Sequence, residues 1–130
     1  MLLFGHRFIA SERFYHIDNS DAIVHTPSNS LLYLSFSENN LDIIDHMRAN
    51  HLKFALECHT LTEVIYANTL DAAYIVVDEA LSKSAQNAAD SYLFDAKVLV
   101  HIDSEDKIET MASEGIDGVL FSEGIVKISG

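Results

Sequence analysis

Lys53-Phe54-Ala55-Leu56-Glu57-Cys58-His59 and Lys97-Val98-Leu99-Val100-His101-Ile102-Asp103 open two stretches, 53–77 and 97–121, that superpose without a gap. Each runs apolar strand, polar corner, amphipathic helix, turn and second apolar strand. The closing strands are Tyr74-Ile75-Val76-Val77 and Gly118-Val119-Leu120-Phe121. Hardly a residue is identical between the copies, so what repeats is a pattern. Strand–helix–strand units of this kind build parallel sheets, which makes the chain an α/β protein. Such sheets take ligands beyond the carboxyl ends of their strands.

Working outward, Leu31-Leu32-Tyr33-Leu34-Ser35-Phe36 is apolar on both faces, as in a strand covered on both sides. Asn39 or Asn40 then caps a helix whose inner face is Leu41, Ile44 and Met47. Thr60 followed by Glu63 forms a capping box over a helix with Leu61, Val64, Ile65 and Asn68 on one face. Asp71 and Gly115 occupy equivalent turns that need a left-handed residue. Asp78 caps a helix running to about residue 93, with Leu81, Ala85, Ala88, Ala89 and Tyr92 inward. Its alanine-rich face permits close approach to the sheet or to a partner. A further helix is expected over 104–114, capped by Asp103. Residues 125–128 read as an edge strand. In the first thirty residues, 1–4 and 8–9 around Gly5 form a strand or hairpin, 13–17 a strand, and Asn19 or Ser20 caps a short helix.

The expected architecture is one domain over 1–130: three layers around a mainly parallel sheet of about five or six strands, flavodoxin-like or Rossmann-like. The alternative is a singly wound partial (β/α) barrel that dimerises. The segment 62–77, with Leu70-Asp71-Ala72-Ala73 before its strand, resembles the helix, Leu-Gly-Ala-Asp, strand units of phosphate-binding (β/α) barrels, with an echo at 108–121. The resemblance implies a barrel-type fold. It departs from that group in having Asp71 for the glycine and no glycine-rich phosphate loop, and a complete barrel takes on the order of 200 residues or more. The pattern is similar as well to small bacterial α/β proteins, a likeness that implies a fold and no activity. The phosphoacceptor domain of two-component signalling resembles this topology and would use Asp78. Ser37-Glu38, His101 and Ser122 stand where it wants an acidic pair, a hydroxyl and a lysine.

Composition narrows the function classes. Twenty Asp and Glu against eight Lys and Arg give a net charge of −12, with no basic cluster, so nucleic acid and anionic membranes are not expected partners. A lone Cys58 rules out an internal disulfide, and the opening residues lack the basic leader and apolar run of a signal peptide, so a cytoplasmic location is expected. Cys58 reads as buried and inert. His6, His16, His25, His46 and His51 read as surface or packing residues.

The strand ends carry the candidate chemistry. Glu57/His59 and His101/Asp103 are pairs two residues apart, each able to face one side, and imidazole with carboxylate suits a divalent metal or acid/base work. Strands ~4.8 Å apart would put the Glu57 and His101 strands about 10 Å apart in singly wound order and roughly 14 Å apart in the doubly wound order 2-1-3-4-5. In the latter, Glu38, Asp78 and Glu79 meet at the switch point and become the ligand or Mg²⁺ site, with Ser122 at the last strand end. Caps and chain exits place polar residues at strand ends too. The expected function is therefore a ligand- or interaction-binding module, with homo-oligomer or protein partner. The alternative is a metal-dependent or acid/base enzyme.

Overall fold

Short apolar runs become strands wherever a helix can cover their outer side. The computed structural model describes residues 1–128. In it, β3 (Leu31–Ser35), β4 (Phe54–Glu57), β5 (Tyr74–Val77), β6 (Lys97–His101) and β7 (Gly118–Leu120) follow the expected runs. The first thirty residues contribute β1 (Leu2–Phe4) and β2 (Phe14–His16), and the chain's end contributes β8 (Ile125–Lys127). Residues 8–9 form no strand. Four helices cover the sheet: α1 (Leu41–Ala49), α2 (Leu61–Thr69), α3 (Glu79–Ser91) and α4 (Ile108–Ser113).

All pairings are parallel, in the order β1-β7-β6-β5-β4-β3-β2-β8. From β2 to β7 each strand lies beside its sequence neighbour, so the sheet is singly wound. This corrects the flavodoxin-like order and the count of five or six strands: among the described residues there are eight. Winding in one direction keeps the helices on one side and curls the sheet into a half-barrel, which is the alternative architecture. Strands of three to five residues and the lack of a covering helix between β1 and β2 or between β7 and β8 explain how so short a chain achieves this.

The curl makes two cores. Between sheet and helices lie Leu32, Leu34, Ile44, Met47, Leu56, Val64, Ile75, Val98, Val100 and Val119, among others. On the concave side Phe4, Phe14, Leu31, Tyr33, Ala55, Val76, Leu99 and Leu120 pack together, with Tyr74 and Ile125 against them. That second core draws on every strand and fills the interior as in small barrels. Phe4 of β1 meets Phe14 of β2 edge-on at 5.0 Å between centroids, and Tyr74 lies 5.4 Å from Phe4. These rings join strands from opposite ends of the sheet. Below them, Gly5 (φ +76°) touches Gly124 so closely that a β-carbon at Gly5 would sit 2.5 Å from the Gly124 nitrogen. The turn leading into β8 thus crosses directly over the end of β1.

Local rules hold at several ends. Asp71 and Gly115 have φ of 69° and 73°, the left-handed turns expected of them. The Glu63 amide donates to Thr60 Oγ1 at 3.1 Å, the Leu81 amide to Asp78 Oδ1 at 3.0 Å and the Ala22 amide to Asn19 Oδ1 at 2.9 Å. Elsewhere the expectation is corrected. The helix expected over 104–114 is a 3₁₀ turn at Glu105–Lys107 followed by α4, and Ser104 rather than Asp103 accepts the capping amide, from Asp106. Ser37 caps a 3₁₀ turn before α1, while Asn40 Nδ2 donates to the Ser35 carbonyl. Tyr92, Ile65 and Leu61 are exposed, since α3 ends at Ser91 and Ala67 takes the inner position of α2. The alanine face of α3 is spent on its own chain: Ala85 and Ala89 are buried against the sheet core. No described helix is long and apolar enough to cross a membrane.

Candidate functional site

Side chains alternate across a strand, so the residue two places beyond an inward apolar one begins on the same side. At the carboxyl end of the half-barrel that residue is polar on seven strands in turn. Phe4 is followed by His6, Phe14 by His16, Tyr33 by Ser35, Ala55 by Glu57, Val76 by Asp78, Leu99 by His101, and Leu120 by Ser122. The apolar plug thus ends in a polar mouth. Ser35, Tyr33, His6 and His16 were not among the sequence candidates. The signal that reaches Ser35, His6 and His16 is this period of two carried to each strand end.

The candidates fall into two groups along the mouth. At β4, Glu57 Oε1 lies 3.3 Å from His59 Nε2 and accepts from Ser35 Oγ at 3.3 Å, while the Tyr33 hydroxyl donates to Oε2. The β3–β4 register pairs Ser35 with Glu57 and brings these groups together. Burial, then the hydrogen bond and charge of Glu57, push the Tyr33 phenol well above its ordinary value, so it stays a donor. Cys58 points the other way into the helix-side core, and burial pushes its thiol up to about 12. It is buried, as expected.

At β6 and β7, His101 Nε2 lies 2.9 Å from Ser122 Oγ. The register pairs His101 with Leu120, two residues before Ser122. Asp103 turns instead to Lys107, whose Nζ is 3.5 Å from Asp103 Oδ1 and 2.7 Å from Glu79 Oε1. The hydrogen bond that Lys107 donates to Glu79 and the charges of both carboxylates raise the Lys107 ammonium above its ordinary value and keep it charged. Beyond β1, Arg7 grips Glu105 at 2.7 Å and, chiefly through that hydrogen bond, holds its carboxyl below the usual range; His6 Nε2 is 3.2 Å from the same oxygen.

A cavity of about 500 Å³ opens between Asp78, Glu79, His101, Asp103, Lys107 and Ser122. A second, of about 240 Å³, lies beside it against Glu57, His59, Asp78 and His101. Asp78 and His101 line both. The singly wound order therefore brings the two repeated pairs to one edge, with β5 between them. The four metal candidates do not converge: among the described residues, no three His, Cys, Asp or Glu side chains are grouped to hold an ion. Glu38 stands apart on an apolar hollow of about 400 Å³ with Phe36, Leu41, Tyr66 and Leu70. With β4 between β3 and β5, the Glu38–Asp78–Glu79 cluster of the doubly wound order does not form.

No protein-family model matches the chain, and no curated protein matches it in sequence.

Proposed function

We propose that the chain is a binding module for a small polar ligand, neutral or positively charged, held at the carboxyl mouth of the half-barrel. The observation that carries this reading is the 500 Å³ cavity, where side chains from the ends of β5, β6 and β7 meet. Its size suits a small molecule, and hydrogen-bonding groups of both kinds face it. Three carboxylates line it against one ammonium, already engaged by two of them. With a net charge of −12, that lining disfavours phosphates and other anions, whatever the resemblance to phosphate-binding barrels implies of fold.

The test is calorimetric titration with a panel of small amines, polyols and nucleosides beside inorganic phosphate. Saturable binding of a neutral or cationic member is expected, weakened about tenfold by Asp103→Asn, the value of one charge-assisted hydrogen bond. Preferential uptake of phosphate, or affinity indifferent to substitution at Asp103 and His101, would refute the reading.

A second reading, association with a protein partner or a second copy, draws support from the apolar hollow beside Glu38 and from exposed Tyr66, Tyr92 and Leu93. A sedimentation series showing a strict monomer at all concentrations would count against the homodimer.

A further inference from the structure

Several serines in this fold are occupied with the backbone. The hydroxyls of Ser37 and Ser104 accept capping amides, Ser11 accepts from the Gly5 amide, and Ser82 and Ser113 donate to carbonyls one turn back. Ser122 differs. It opens the 3₁₀ turn Ser122–Gly124, whose capping position is Phe121 and which takes no side-chain capping bond. Among the described residues its hydroxyl has one hydrogen-bond partner, His101 Nε2 at 2.9 Å. It is exposed and borders the 500 Å³ cavity.

We propose that Ser122 is a nucleophile and His101 its general base, and that the mouth cleaves small carboxylic esters that carry no negative charge. The inference rests on the cavity being the binding site proposed above. A serine hydroxyl attacks only when a base takes its proton, which requires a nitrogen within about 2.6–3.2 Å. The observed separation meets that requirement without rearrangement. For Nε2 to accept, the resting imidazole carries its proton on Nδ1. Asp78 is the next residue beyond the Val77–Val100 pair and so neighbours His101 across β5 and β6. Its carboxylate and that of Asp103 border the same cavity.

In the first step Ser122 Oγ bonds to the ester carbonyl carbon and its proton passes to His101 Nε2. The tetrahedral species collapses, the bond from carbon to the leaving oxygen breaks, and His101 returns the proton to the departing alcohol. Water then attacks the acyl-serine, giving one proton to His101, which passes it to Ser122 Oγ as the acid leaves. Water is the only co-reactant and nothing is oxidised or reduced.

The full chain is treated with an uncharged alkyl fluorophosphonate, in which Oγ bonds to phosphorus, fluoride leaves and the proton goes to His101. The adduct is then located by peptide mass. We expect a single adduct on Ser122, none in Ser122→Ala, and a rate at least about a hundredfold lower in His101→Gln, the usual value of a positioned base. Circular dichroism on each variant checks that it is folded, and the wild-type result stands without any variant. Failure to label Ser122 in the wild type overturns the proposal, as does equal labelling in folded His101→Gln. If amines or polyols still bind at the cavity in that case, this inference falls and the binding reading stands. If nothing binds and nothing labels, both fall.

Discussion

Replacing Gly5 with alanine tests how the half-barrel is closed, and Gly115 supplies the control. Both glycines have left-handed φ, +76° and +73°. A β-carbon at Gly115 meets nothing within 4 Å. Gly115→Ala therefore costs only the conformational term, ~1–2 kcal/mol, offset by ~0.4–1 kcal/mol from the stiffer unfolded chain, for a net loss of about 0.5–1 kcal/mol. At Gly5 the new carbon would lie 2.5 Å from the Gly124 nitrogen, 2.8 Å from its Cα and 3.0 Å from the Phe121 carbonyl oxygen. All three are backbone atoms, so no side chain can rotate away. Relief requires the turn Ser122–Gly124 to lift off the end of β1, an overpacking cost of ~1–3 kcal/mol beyond the conformational one. Gly5→Ala should thus lose about 2–4 kcal/mol. Urea unfolding followed by far-ultraviolet circular dichroism reads the difference: with m of ~1–1.5 kcal/mol/M, the midpoint of Gly5→Ala should fall roughly 1–2 M below that of Gly115→Ala. Equal midpoints would refute the argument that this crossing closes the fold. The same variant should displace Ser122, which the turn carries, and reduce its reaction with the fluorophosphonate while Gly115→Ala leaves that reaction intact.

Gln86 is buried on α3, where its Oε1 accepts from the Asp117 amide at 2.9 Å and its Nε2 donates to Asp90 at 3.0 Å. Asp117 in turn accepts from the Val98 amide at 2.9 Å. Gln86→Leu strands the Asp117 amide and should cost about 1–3 kcal/mol in a urea melt; an unchanged midpoint would show that the latch contributes nothing. The Cys58 thiol, pushed up to about 12 by burial, should resist an aromatic disulfide reagent at pH 8 in the native protein and react at once in denaturant. Because the native thiol keeps its proton where the unfolded one ionises near pH 9, its contribution to stability is whole below that pH and is lost as pH rises toward 12. A Cys58→Ala chain that loses stability equally steeply across that alkaline range would contradict this.

Period and capping made the elements legible. Apolar runs of four or five residues and the spacing between them located β3 to β7, and Thr60, Asp78, Asn19, Asp71 and Gly115 do what their side chains or lack of one allow. Helix faces were less legible. Leu61, Ile65 and Tyr92 are as apolar as the residues beneath them, but which side of a helix meets a curled sheet depends on the curl. The polar strand ends were visible one by one, yet their partners were not. Asp103 looked like a companion of His101 because they share a strand. The partner is Ser122, from the neighbouring strand.

Apolar runs and helical periods are local properties of the chain, and they point to parallel strand–helix units with polar residues at the strand ends. Strand order is not local. It depends on how the concave side is filled, and here Phe4, Phe14, Tyr33 and Tyr74, from β1, β2, β3 and β5, fill it by meeting one another. That packing curls the sheet singly, seats β1 against β7 and β8 against β2, and sends the β7–β8 turn over Gly5. Ser122 rides on that turn. Its contact with His101 joins that turn to the β6–β7 register, a relation between strands that neither strand's own sequence contains.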